Sequence, residues 1–122
     1  MKSIQFLKTI SNTTKLRLVG MLLENELCVC EMEEILNIRQ VNISKNLNSL
    51  KDAGIVDVRR DKQRAFYFLS QDFMNNVHLV NHFRDLKTTE KQLIEDHEMF
   101  IKHEMIKDTN VYVCNVFKNE VS

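Results

Sequence analysis

A chain of 122 residues with 17 basic and 17 acidic side chains, and so no net charge, has room for one domain with a modest core. Its 43% apolar and 28% charged composition excludes a disordered protein, and the lack of proline with only two glycines excludes turn-rich sandwiches and barrels. No stretch approaches the ~18 apolar residues of a membrane span and no signal-like apolar run opens the chain, so a cytoplasmic protein with no membrane partner is expected.

In chain order, Ile4, Leu7 and Ile10 mark a short opening helix with one apolar stripe. Ser11-Asn-Thr-Thr14 offers capping side chains that end it and start a second helix through Leu16, Val19 and Leu22. Gly20 inside that helix costs roughly 1 kcal/mol against alanine, which predicts a neighbour packed close to it. After the polar Glu24-Asn-Glu26, a third helix is expected over Leu27 to Leu36, with Met32, Ile35 and Leu36 inward. Its early glutamates suit the positive end of the helix dipole.

The next stretch, Arg39 to Val56, organises the rest. Ile43, Leu47 and Leu50 recur at four and three residues, the repeat of one buried helical stripe. No carboxylate occurs from Gln40 to Lys51, and Gly54 can take the left-handed conformation that ends a helix. A front of amides, a hydroxyl and lysines suits a major groove, because amides pair with adenine edges and lysines reach phosphates. Alone, such a helix is equally compatible with an ordinary solvated surface. Its neighbours favour DNA. Val56 and Val58, then Phe66 and Phe68, outline a two-stranded wing over about residues 55–69. Arg59-Arg-Asp-Lys-Gln-Arg64 forms its loop, and the missing glycine predicts a long or irregular turn. Residues 39–64 carry seven basic against three acidic side chains, whereas residues 24–37 carry five glutamates and no basic residue. A basic patch on a neutral chain is the footprint of a nucleic-acid reader. The expected contacts are Arg39, Gln40, Asn42, Ser44, Lys45 and Asn48 on a reading helix at about 40–53, with Arg59, Arg60, Lys62 and Arg64 on the wing.

From Asp72 the helical repeat returns, over about 72–107. One stripe is Phe73, Val77, Val80, Phe83 and Leu86; another is Leu93, Ile94, His97, Phe100, Ile101 and Met105. Thr89-Glu-Lys-Gln92 matches a capping box between them, so two consecutive helices are expected, with one long kinked helix as the alternative. Two such stripes exceed the needs of a small core and predict a two-fold interface containing Ile4, Leu7, Val80, Phe83, Leu93, Ile94 and Phe100. His78 and His82, four apart, have a chelating spacing, but a solvated or interface role is the better reading for them. His97 and His103 receive the same reading. The tail, 108–122, contains the alternating apolar run Val111 to Phe117, read as a short extended segment. The expected fold is mainly α with a two-stranded β wing, a single dimeric winged helix-turn-helix domain over residues 1–122.

With these residues placed, the chain resembles the ArsR/SmtB family of metal- and metalloid-responsive bacterial repressors, its arsenic-repressor branch in particular. Four pieces match in order: Ile10-Ser-Asn-Thr-Thr-Lys-Leu-Arg-Leu18, Glu26-Leu-Cys-Val-Cys-Glu-Met32, the reading helix through Leu50-Lys-Asp-Ala-Gly-Ile-Val56, and the wing to Tyr67-Phe-Leu69. They cover about residues 4–70. The resemblance implies a homodimer that holds an inverted-repeat operator in double-stranded DNA when empty and leaves it when an inducer binds. Three positions depart from the family pattern: Val41 replaces proline or serine, Asn46 replaces histidine, and Glu33 stands where the arsenic branch often has a third cysteine. The cadmium/lead branch has N-terminal cysteines, and this chain has none before Cys28.

Cys28 and Cys30 are the candidate inducer site, the bland reading being two small buried hydrophobes. A helix N-terminus is expected to lower thiol pKa and favour the metal-binding thiolate. In a regular helix the two side chains point about 200° apart, whereas in an extended segment they share a side. Inducer binding should therefore unwind the start of the third helix. Arsenite or antimonite takes three thiolates, and Cys114 is the remaining thiol; two thiolates plus an external ligand is the rival set. Cadmium, lead or zinc, and a thiol-redox response through Cys28, Cys30 and Cys114, are the alternatives. A thiol metal carrier is the reading from another class, and the basic wing counts against it. No nucleophile–base motif, phosphate loop or metalloprotease pattern is present, so neither an enzyme nor a cofactor for DNA binding is expected.

Overall fold

The computed structural model describes residues 7, 8 and 11–108, with side chains to residue 106. Ile4, Cys114 and the alternating tail lie outside the described residues; Leu7 is helical and exposed. Helix α1, Thr13–Leu22, begins where the Asn12 side chain accepts the Lys15 N–H at 2.7 Å, the orphan-donor satisfaction that the capping cluster predicted. Its buried face is Leu18, Val19, Met21 and Leu22. The close neighbour expected at Gly20 is Leu93, whose Cδ2 lies 3.5 Å from where a Cβ would stand. That is ordinary contact, so the glycine is not forced by crowding.

The third expected helix starts two residues late. Leu27–Cys28 is a strand, β1, and helix α2 runs Val29–Leu36. Leu27 pairs with Tyr67 and Cys28 with Phe66, and this long-range ladder takes the two residues from the helix. Asn37, left-handed at φ 55°, closes α2. Helix α3, Gln40–Asp52, then buries Ile43, Leu47 and Leu50 completely, and Gly54 follows at φ 78°.

Strands β2, Val56–Asp61, and β3, Arg64–Leu69, pair antiparallel from Val56↔Leu69 to Asp61↔Arg64 in a sheet of order β1-β3-β2. The turn is therefore only Lys62–Gln63, not the long loop expected. Lys62 itself adopts the left-handed conformation, φ 59°, at a cost of roughly 1–2 kcal/mol for an L-residue. Continuous pairing up to the turn offsets it. Arg59 and Arg60 consequently stand within a strand.

Three helices, not two, follow: α4, Gln71–Asn75; α5, Val77–Thr89; and α6, Lys91–Asp108. Ser70 caps α4 and Asn76 caps α5. Extended backbone at Glu90 separates α5 from α6. The expected capping box is not what starts α6, because the Thr89 hydroxyl donates back to the Asp85 carbonyl at 3.2 Å. Among the described residues no helix is long and apolar enough to cross a membrane.

The core joins α1, α2 and α3 to the sheet and is closed by α5 and α6. Phe73 and Phe83 meet edge to face at 6.0 Å, a preferred aromatic geometry. Arg17 pins three elements: it donates to both Asp96 oxygens at 3.0 and 2.9 Å and to the Leu36 carbonyl at 2.8 Å. Lys87 reaches from α5 to the Gly20 carbonyl at 2.8 Å and to the Glu24 carboxylate; burial pulls its pKa down to about 8. Because α6 folds back over α1 and α2, Leu93 and Phe100 of its apolar stripe pack within the protomer itself. Val80, Phe83, Leu93 and Phe100, expected at a two-fold interface, are buried in this core. The apolar side chains left outside on α6 are Ile94, Met99, Ile101, Met105 and Ile106.

Candidate functional site

Helix α3 presents Arg39, Gln40, Asn42, Lys45 and Asn48 to solvent, with Ser44 half-buried beside them. The buried stripe fixes which face this is, so the amide and lysine face cannot rotate inward without exposing Ile43, Leu47 and Leu50. The N-terminus of α3 has no cap of its own: Arg39 makes no capping hydrogen bond. Instead Glu33, from α2, accepts the Gln40 N–H at 2.7 Å. A carboxylate there satisfies an orphan donor and meets the positive end of the helix dipole. Asn46 donates to the Asn42 carbonyl at 2.8 Å and side chain at 3.0 Å, which holds Asn42 on the exposed face. Replacing Glu33 by alanine should cost about 1 kcal/mol, read as a lower urea midpoint; an unchanged midpoint would show that the cap carries no weight.

The four wing cations are not equivalent. Arg59 donates through Nε to both Glu26 oxygens at 3.0 Å, and its guanidinium lies 4.6 Å from the Phe66 ring centre. The same pairing holds the Glu26 carboxyl below its usual pKa. Arg64 is half-buried, 6.0 Å from that ring. Arg60 and Lys62 are exposed at the far end of the ribbon and are the cations best placed for a phosphate.

The two neighbouring cysteines stand in different states. Cys28 is a free thiol, extended at φ −87° and ψ 164° as the N-cap of α2, and buried. Glu31, three residues on, accepts its backbone N–H at 3.3 Å and its thiol at 3.4 Å, so Glu31 supplies the glutamate half of a capping box whose N-cap is a cysteine in place of serine. The expected depression of its pKa is reversed. Burial, with the adjacent Glu31 carboxylate adding to it, pushes the Cys28 thiol up, because both disfavour a thiolate. Cys30, the second residue of α2, is disulfide-bonded. The two sulfurs are thus not paired as thiolates, and Cys114 lies outside the described residues.

Glu31 is itself buried, at 1% exposure, and its second oxygen lies 3.1 Å from His103 Nε2. The solvated or interface role expected for His103 is therefore wrong. Seventy-two positions separate the partners, and only the return of α6 over α2 brings them together. His78 and His82 are exposed, as read.

Residues 12–58 match the family described as bacterial regulatory protein, arsR family. The chain is 42% identical over 66 residues to a biofilm growth-associated repressor of Agrobacterium fabrum, covering 54% of this chain and 56% of that protein. It is 35% identical over 77 residues to the cadmium resistance transcriptional regulatory protein CadC of Listeria innocua, covering 62% and 60%. The chain thus spans somewhat over half the length of these relatives. The crystal structure of the transcriptional repressor BigR from Xylella fastidiosa superposes with a TM-score of 0.57 at 37% identity, over 69% of this chain and 78% of that one. A winged helix with this sequence match leaves one assignment: the chain belongs to the arsR family of bacterial regulatory proteins.

Proposed function

We propose that this chain is a cytoplasmic, operator-binding transcriptional repressor that works as a two-fold dimer and is released by thiol chemistry at Cys30. The observation that carries this reading is the make-up of α2. Its eight residues hold the disulfide-bonded Cys30 at one end and, one turn on, Glu33, which caps the reading helix at Gln40. A change at the sulfur that shifts α2 is thereby handed to the DNA-facing helix, a coupling between two sites through one packed element. Gln40, Asn42, Ser44, Lys45 and Asn48 read base edges and nearby phosphates; Arg39 and the wing cations Arg59, Arg60, Lys62 and Arg64 bind backbone. Two copies would meet half-sites about one helical turn apart in an inverted repeat. Exposed Ile94, Ile101 and Met105 of α6, together with Leu7 and Ile4, supply the dimer contact.

Oxidation joins Cys30 to Cys114, of the same chain or of a second copy, two thiols losing two protons and two electrons to a peroxide or disulfide oxidant. A second reading rests on Cys28, whose extended backbone before α2 leaves its thiol outside the helix. In the reduced protein Cys28, Cys30 and Cys114 would then hold arsenite or antimonite, with cadmium, lead or zinc as poorer matches to three thiolates. Both readings meet at Cys30 and are separated by titration on the chain's own upstream DNA. Diamide should weaken operator binding by about 5–150-fold, the range of ordinary coupling energies. The Cys30→Ser protein should bind DNA as tightly and no longer respond, whereas Cys28→Ser should still respond. Release of reduced protein by arsenite, lost in each single serine variant, would select the metalloid instead. Full release of Cys30→Ser by both agents would defeat the assignment.

A further inference from the structure

We infer that Glu31 of α2 with His103 and Glu104 of α6 forms a binding site for a first-row divalent cation of the zinc class, separate from the thiol chemistry. One ligand atom from each residue lies within 4.8 Å of the others. Glu31 and His103 are buried, and the half-buried Glu104 turns an oxygen, Oε1, into a buried position with no hydrogen-bond partner. Two carboxylates converging on one imidazole away from water are stabilised by a positive charge between them, which a protonated imidazole or a bound metal ion supplies. Ligand atoms about 2.1 Å from a tetrahedral ion stand about 3.4 Å apart. Glu31 Oε2 and His103 Nε2 are already 3.1 Å apart. One nitrogen and two oxygens suit zinc or cobalt better than calcium or magnesium, and without a thiolate they do not suit arsenite. Cys28 meets the other oxygen of Glu31, Oε1, and stays outside the set. An ion here would bolt α2 to α6.

The test is titration of the reduced, metal-free full-length protein with Co2+, read by its visible ligand-field bands, followed by displacement with Zn2+. One equivalent per protomer is expected, with a rise in melting temperature on saturation. His103→Gln and Glu104→Gln should each weaken Co2+ binding by at least ~10-fold, whereas Cys28→Ser and Cys30→Ser should leave it unchanged. If His103→Gln does not fold, Glu104→Gln, at a half-buried position, decides alone. Unchanged affinity in Glu104→Gln, no ligand-field band, or a sulfur-to-cobalt charge-transfer band would each overturn the site. None of these readouts involves DNA or oxidant, so this proposal can fail while the repressor reading stands, and the reverse.

Discussion

Replacing Asp96 by asparagine is expected to destabilise the fold by roughly 3–5 kcal/mol, the cost of leaving one partner of a buried ion pair uncompensated. Asp96 is almost wholly buried and Arg17 largely so. Asp96 accepts two hydrogen bonds from the guanidinium and a third from Gln92 at 3.1 Å. Asparagine keeps the shape but loses the charge and one acceptor, so a desolvated guanidinium is left facing an amide. For a chain of this size, that loss corresponds to a fall in melting temperature of roughly 10–20 °C, measurable by calorimetry. The double variant Arg17→Met with Asp96→Leu should recover much of it, since a well-packed apolar pair can match a buried ion pair. A fall of less than about 3 °C in Asp96→Asn would show that the pair is solvated in practice. Arg17 also donates to the Leu36 carbonyl at the end of α2, so the same variant should loosen the helix that carries Cys30 and Glu33.

Charge reversal at Arg60 and Lys62 together is expected to reduce DNA affinity by about 10²–10³-fold near physiological salt and to flatten its salt dependence. A dimer would lose four phosphate contacts, and each removes about one unit from the slope of log affinity against log salt. Both side chains are exposed and lie outside the core, so folding should be unaffected and the loss should be alike on all sequences. Charge reversal at Arg59 should do less. Its guanidinium already faces Glu26, and the variant would also break that pair. Gln40→Ala should behave differently again, relaxing preference at one or two base pairs while leaving the salt slope intact. Fluorescence anisotropy across a salt series distinguishes these patterns. An unchanged slope in the Arg60/Lys62 variant would mean that the wing does not touch the backbone.

Much of this was legible before the fold was known, and the reason is locality. Ile43, Leu47 and Leu50 lie within one helix, and a stripe of that spacing has a single buried side whatever packs on it. The exposed amide and lysine face of the reading helix follows from the same repeat. Asn12 and Gly54 act through their immediate neighbours, so the ends they mark were visible in the chain. The turn at Lys62–Gln63 was misread, because strand pairing carried a lysine into a conformation that local preference assigns to glycine.

The family assignment and the exposed amide and lysine face of α3 were thus determined by the sequence itself, since both rest on residues close together in the chain. The tertiary structure decided the state of the segment around Cys28 and Cys30. It made Leu27–Cys28 a strand by pairing it with β3, raised rather than lowered the Cys28 pKa by burying it beside Glu31, and turned most of the supposed interface into core. It also joined Glu31 to His103 and Arg17 to Asp96. Each of these depends on where α6 or β3 lies against a distant segment, and a periodicity confined to one element carries no record of its partner.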